Sequence, residues 1–230
     1  MDSLCVLIIT DGRRDCFEKM MASWDHMATI DSEVSDVFHL VVDDSGDLEY
    51  YNWIRNNYKG SVDRIIHHKD RKGFGESIRT AWANIPIDCN WILHLEDDFT
   101  LNRHVNIGDM IRILKSNPFA AQVALYRQPW NREEIDAGGF YKQYPDIYQD
   151  AVTMGIDKAH KVVVHKRNFT TNPCVYPRKI MEVGWPKGSE SEGHFGIKLL
   201  KHGYYFMFMG TTKDEPWVTH IGNERVGVGY

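Results

Sequence analysis

The regular alternation of its first half constrains this chain more than any other feature. Apolar runs at Leu4–Thr10, Val37–Val42, Val62–His67, Trp91–Leu95 and Ala121–Leu125 read as strands. Helical spacing lies between them. Phe17, Met20, Met21, Trp24 and Met27 recur on one face of Arg14–Met27. Leu48–Tyr58, a segment running from Gly73 and Gly75 through Ala83, and Ile107–Leu114 before Ser-Asn-Pro read as further helices. This alternation predicts an α/β fold with a mostly parallel, doubly wound sheet flanked by helices. Such sheets bind ligands beyond the carboxyl ends of their strands. Polar residues follow those ends repeatedly: Thr10-Asp11, Asp43-Asp44, His67-His68 and Glu96-Asp97-Asp98.

The second half is less regular. Arg127–Tyr148 reads as a long aromatic and polar loop, Glu192–Lys201 as a helix, and Tyr204–Met209 and Trp217–His220 as strands. Without a repeat, a low-complexity tract or a linker, the 230 residues predict a single domain. Its residues 1–101 form one functional half and 102–230 the other.

The last polar group raises a chemical question. "NWILHLEDDFTL" runs a buried strand into three consecutive acids, and Phe99 returns the chain to the core. Carboxylates gathered at a strand end repel one another, and a divalent cation is the usual compensation. Oxygen ligands suit Mg2+ or Mn2+, which keep positions open for phosphate oxygens. A solvated acidic loop is the plainer alternative.

In order and spacing, "TDGRRD", "VVDDSGD", "HHKDRKGFGESIRTAW" and "LEDDFTL" resemble the nucleotide-sugar half of GT-A fold glycosyltransferases of the family 2 type. That resemblance implies a metal-dependent, inverting glycosyltransferase. It would move a sugar from a nucleotide sugar, a UDP-sugar favoured, to a hydroxyl. It implies nucleotide-sugar contacts from Thr10, Asp11, Arg13, Asp43, Asp44, Arg71, Lys72, Glu96 and Asp97. Asp98, the last acid of a DXD-like element, would ligate Mn2+ or Mg2+; glutamate at the first position, Glu96, departs from the pattern. "TTNPCVYPRKIMEVGW" and "SESEGHFGIKLLKHGY" resemble the family's acceptor loop and catalytic element, with Glu192 or Glu190 as the base. Taken alone, "SESE" is equally a helix N-terminus. His220 matches a late histidine that many such enzymes use as a further metal ligand, and "GNERVGVGY" after it is either a lid or a frayed end.

The acceptor is less defined. Residues 1–115 carry 13 Lys+Arg against 20 Asp+Glu, and the remainder 14 against 12. From Lys158 to Lys179 lie Lys158, Lys161, Lys166, Arg167, Arg178 and Lys179 with no acid, interleaved with His160, His165, Phe169 and Tyr176. Basic groups hold phosphates and aromatics stack on unpaired bases. The run is similar to phage enzymes that glycosylate hydroxymethylated pyrimidines in DNA. A glycan, lipid-linked or protein acceptor is the alternative, as is a nucleotide-sugar-binding or nucleotidyltransferase-like protein without transfer. Trp130, Lys166, Arg167 and Trp185 are the acceptor candidates.

Other signals exclude more than they assign. "KGFGES" lacks the Gly-Lys-Ser/Thr ending of a P-loop, and four scattered cysteines form no CxxC pair. The adjacent His67 and His68 project to opposite faces of a strand, so they read as a rim feature, not a chelate. No apolar run is long enough for a membrane span, and Asp2 precedes the first apolar run where a signal peptide needs basic residues. A cytoplasmic setting, the host's if the source is viral, is expected.

Overall fold

The computed structural model describes residues 2–31, 34–155 and 158–222. The first half contains β1 (Asp2–Thr10), α1 (Arg14–Met27), β2 (Ala28–Thr29), β3 (Val34–Asp43), α2 (Leu48–Asn57), β4 (Arg64–His67), α3 (Phe74–Asn84) and β5 (Trp91–Glu96). There follow β6 (Phe99–Leu101), β7 (Val105–Asn106), α4 (Ile107–Ser116), β8 (Ala120–Ala124), α5 (Arg132–Ala137), α6 (Phe140–Gln143), β9 (Gln149–Met154) and β10 (Ala159–His165). The chain continues through β11 (Cys174–Pro177), a 3-10 helix (Arg178–Val183), α7 (Ser191–Lys201), β12 (Tyr205–Met209) and β13 (Val218–His220).

Nine strands form one sheet in the order β4-β3-β1-β5-β11-β8-β12-β10-β9, in which β11 and β10 run against the rest. Both faces are covered, as a mostly parallel sheet requires. Along β1, Leu4, Val6 and Ile8 meet Phe17, Met20 and Trp24 of α1 and Met110 and Ile113 of α4. Cys5, Leu7 and Ile9 face Ile78 and Ala81 of α3 and Phe195 and Leu199 of α7. The region read as an aromatic loop instead contains α5 and α6. Asn131 caps α5 by accepting from Glu134 N, and Gly138 ends it in the left-handed region (φ 77°). Phe140, Tyr141 and Tyr148 are buried, so those aromatics are core and not a surface platform.

Register places the polar ends together. Thr10 pairs with Asp43, Asp43 with His67, and Ile9 with Glu96. Antiparallel pairing of β6 with β13 sets His220 opposite Phe99, and Ile221 N donates to the Asp98 carbonyl at 2.7 Å. A residue from the end of the chain thereby reaches the acidic turn after β5. No described helix is long and apolar enough to cross a membrane.

Candidate active site

The three acids after β5 have three different environments. Asp97 is almost fully buried. It accepts from the Thr10 hydroxyl at 2.7 Å, Asp11 N at 3.2 Å and Arg13 Nη2 at 2.5 Å. Burial pushes its carboxyl up to about 6, against the opposing Arg13 charge. It therefore ties the first loop to the turn. Asp98 Oδ2 lies 2.7 Å from Arg13 Nη1 and 3.0 Å from His220 Nε2. Burial opposes its ionisation, yet the His220 hydrogen bond and the Arg13 charge hold it below the usual aspartate value. Asp98 Oδ1, His220 Nδ1 and Arg13 Nε are buried without a hydrogen-bond partner among the described residues. Such orphaned atoms in a native fold point to an absent ion, water or ligand. Gly222 fits against this pair; a Cβ there would lie 2.3 Å from Asp98 Oδ2.

Glu96 is pushed well above the ordinary glutamate range, first by burial and then by the charges of Asp98 and Glu192. His94 Nε2 lies 4.0 Å from Glu96 Oε1, and burial lowers that imidazole to about 3, so it is neutral. Glu192 stands in the first turn of α7 and accepts from Thr171 N at 2.7 Å. The Thr171 hydroxyl lies between the two glutamates, hydrogen-bonded to either carboxylate. Burial raises Glu192, and the Thr171 donors offset part of that shift. Glu190 is exposed at the N-cap of the same helix, with φ 54° in the left-handed region. Of the two candidate bases, Glu192 is the one whose charge bears on Glu96, with Thr171 between them.

The acids after β3 are occupied by their own neighbours. Asp43 accepts from Ser45 N at 2.9 Å and pairs with His67 Nδ1 at 2.8 Å. Asp44 accepts from Lys72 N at 2.9 Å and Gly73 N at 2.8 Å, and pairs with His68 Nδ1 at 2.7 Å. The adjacent histidines thus take one aspartate each. The Lys72 side chain is exposed. Arg71 reaches back to Asp11 at 2.6 Å and to the Ser45 carbonyl at 3.1 Å, bridging the first and second loops. Burial pushes Asp11 up to about 6, with Arg71 opposing.

The acceptor candidates separate. Trp130 is half-exposed, its ring centroid 3.9 Å from that of His220. Arg167 is exposed and lies over the Tyr144 ring at 3.5 Å. Lys166 is exposed. Trp185 is not a surface platform, because its ring is buried among Phe74, Trp82 and Phe195. The basic run is also not one stripe. Lys158 pairs with Asp109 at 3.0 Å, while Arg178 donates to the Pro86 carbonyl and Lys179 to the Pro118 carbonyl. Pro177 pairs with Trp91, so the last two cations lie at the amino end of β5, away from the acids. His160, His165, Phe169 and Tyr176 are all buried and cannot stack on bases. The segment after Gly222 lies outside the described residues.

Sequence reasoning missed Thr171, Arg127 and Gln122. Gln122 holds Thr170 through both backbone groups, at 3.2 and 3.1 Å, and so fixes the segment that carries Thr171. A buried amide in a short apolar strand was the available signal.

Among the described residues, no group of three His, Cys, Asp or Glu side chains could hold a metal ion. The residues fit one differently: a carboxylate with a free buried oxygen and an imidazole supply two donors, leaving further positions for phosphate oxygens.

No family model and no curated protein sequence matches the chain. Solved structures match in fold. TarS 1-349 of S. aureus aligns with a TM-score of 0.62 at 10% identity, over 96% of this chain and 60% of that one. TarS has also been solved with UDP-GlcNAc. The mannosyltransferase PcManGT from Pyrobaculum calidifontis, in complex with GDP-Man and Mn2+, aligns at 0.63 with 12% identity over 96% and 57%. GalNAc-T7 with UDP, GalNAc and Mn2+ aligns at 0.65 with 10% identity over 96% and 44%. The chain spans about three fifths or less of the length of these structures. It has their fold, the GT-A fold.

Proposed function

We propose that this chain is a metal-dependent glycosyltransferase, moving a sugar from a nucleotide sugar, a UDP-sugar favoured, to a hydroxyl acceptor with inversion. The carrying observation is one sheet rim that gathers the Asp98–His220 pair, with its orphaned carboxylate oxygen, and Glu192, held by Thr171. Fold relatives solved with UDP-GlcNAc, or with GDP-Man and Mn2+, support the donor class and the metal.

Asp98 and His220 would hold Mn2+ or Mg2+, which neutralises charge on the departing diphosphate. Arg71 and Asp11, paired with each other, would flank the nucleotide, and Thr10, Asp97 and Arg13 keep the first loop against the acidic turn. In the transfer, the acceptor oxygen bonds to the anomeric carbon while the bond to the diphosphate breaks and its electron pair leaves with the diphosphate. Glu192 takes the proton of the attacking hydroxyl. Its raised carboxyl suits a base working near neutrality. The division of the basic run and the burial of its aromatics favour a glycan or other small hydroxyl acceptor over a hydroxymethylated pyrimidine in DNA. All four cysteines are unpaired, which suits a reducing cytoplasm.

Thermal melting tests the reading. UDP-sugars with Mn2+ should raise Tm more than ATP or CTP with Mn2+, and Asp98→Ala should abolish the metal-dependent part. Equal shifts in wild type and variant would remove Asp98 from the metal site. Incubating the protein with a nucleotide-sugar panel and with glycan, lipid-linked, protein and hydroxymethylated DNA acceptors, then weighing the products, identifies sugar and acceptor together. Nucleotide-sugar binding without transfer to any of them would favour the binding-protein alternative.

A further inference from the structure

Beside Glu192 lies a cavity of about 350 Å3, between α5, α6 and the segment before β11. Asn168, Thr170 and Asn172 line it together with Gln143, Tyr144 and Arg167. The 168–172 wall is continuous with the base, because Thr171, between Thr170 and Asn172, donates its N–H to Glu192 at 2.7 Å. Thr170, which lines the cavity, also hydrogen-bonds Glu192, so that carboxylate stands directly behind this wall. The volume is at the small end of the ~300–1,000 Å3 range of small-molecule sites. Amide and hydroxyl side chains with a flanking tyrosine ring match a hydroxyl-rich molecule.

Charge in the cavity is uneven. Arg127 is bound by both oxygens of buried Glu134, at 2.8 and 3.1 Å, and Trp130 N and Asn131 add donors to that carboxylate. This pair is neutral and rigid, and Glu133 on the rim is solvated. Arg167 differs. Its guanidinium carbon lies over Tyr144, 3.5 Å from the ring centroid, with no carboxylate partner among the described residues. A guanidinium fixed by stacking keeps its N–H fork free for a bidentate anion. Thr171 is four positions after Arg167, at most about 14 Å of extended chain.

We infer that this cavity is the acceptor subsite and that the acceptor is a hydroxyl-rich unit bearing an anionic group, its hydroxyl at Glu192 and its phosphate or carboxylate on Arg167. The inference rests on the glycosyltransferase reading for its chemistry, but binding tests it independently. Titration of sn-glycerol 3-phosphate and of glucuronate, with glycerol and glucose as neutral counterparts, separates the two anion sources. At least one anionic probe should bind about tenfold more tightly than its neutral counterpart. Arg167→Ala should erase that preference and Arg167→Lys restore only part of it, while the Tm shift with UDP and Mn2+ stays as in wild type. Equal binding of anionic and neutral probes, no binding of either anion, or a preference that survives Arg167→Ala overturns the subsite. An anion preference lost in Arg167→Ala, with no UDP–Mn2+ shift in either protein, sustains the subsite and removes the donor reading instead.

Discussion

Arg13 is the residue on which the acidic turn depends. Asp97 and Asp98 are both buried, and one guanidinium forks across them at 2.5 and 2.7 Å. Its position is fixed because Arg13 is the N-cap residue of α1, its carbonyl accepting from Phe17 N at 2.9 Å. Arg13→Ala leaves two neighbouring carboxylates without their cation, which costs about 3 kcal/mol for a buried pair broken on one side. Metal-free Tm should fall accordingly, and Mn2+ should raise the variant's Tm by more than it raises that of wild type, since a dication compensates the same two charges. An equal Mn2+ increment in both proteins would separate Arg13 from the metal position. Glu192 gives a second test. Glu192→Gln keeps the Thr171 contact and should leave the UDP–Mn2+ shift intact while reducing transfer by roughly 100-fold or more. As the proposed base Glu192 would work ionised, and burial raises its carboxyl. Activity in wild type should therefore fall as pH drops through a value above the usual glutamate value of ~4.3. In Glu192→Gln this acid limb of kcat/KM should be absent; its persistence would assign the proton to another group.

At the scale of elements, α7 and the segment before β11 act together. Glu192 and Gly196 lie four residues apart, on one helix face, and that face packs directly on backbone. A Cβ at Gly196 would lie 2.7 Å from Phe169 N and 3.5 Å from Asn168 Cα. Gly196→Ala should therefore push the helix away from residues 168–172 at a cost of about 1–3 kcal/mol. Transfer should decline with little change in the UDP–Mn2+ shift. Unaltered turnover would mean that the Glu192–Thr171 contact is not rate-determining. These elements also differ in how far sequence revealed them. Arg14–Met27 matches α1 end to end, because a wide apolar stripe and a defined entry leave little choice. β9, β10 and β11 went unread. β11 has four residues and ends in proline, and β9 lies at the sheet edge with Val152 and Met154 exposed, so no period-2 pattern marks it. The acids after β5 were legible because three like charges beside an apolar strand need an explanation. Thr171 was not, since its importance comes from Gln122 and Glu192, which are distant in sequence.

At the scale of the molecule, residues 1–101 and 102–230 share one sheet. β5 has β1 on one side and β11 on the other, and β11 belongs to the second half. β6, which ends the first half, pairs with β13 and, among the described residues, with no other strand. Residues 1–101 alone would expose the apolar edge of β5 and leave Phe99 and Leu101 without their partner strand. They would also lack α4, which covers the same face as α1, and a sheet with an open apolar edge and a bare face is prone to aggregate. A fragment ending at Leu101 should therefore not reach a native fold, whereas the whole chain should unfold in one calorimetric transition. Two separated transitions, or a soluble fragment with protected amide hydrogens in β1, β3 and β5, would show that the nucleotide half stands alone. The shared sheet also makes chemical sense. Asp98 follows a first-half strand, while His220 and Glu192 come from the second half, and the sheet strands β5 and β11 hold those parts in register. Loosening one half against the other by an ångström would separate Asp98 and His220 from Glu192, so the cooperativity of folding and the geometry of the proposed transfer depend on the same strand pairing.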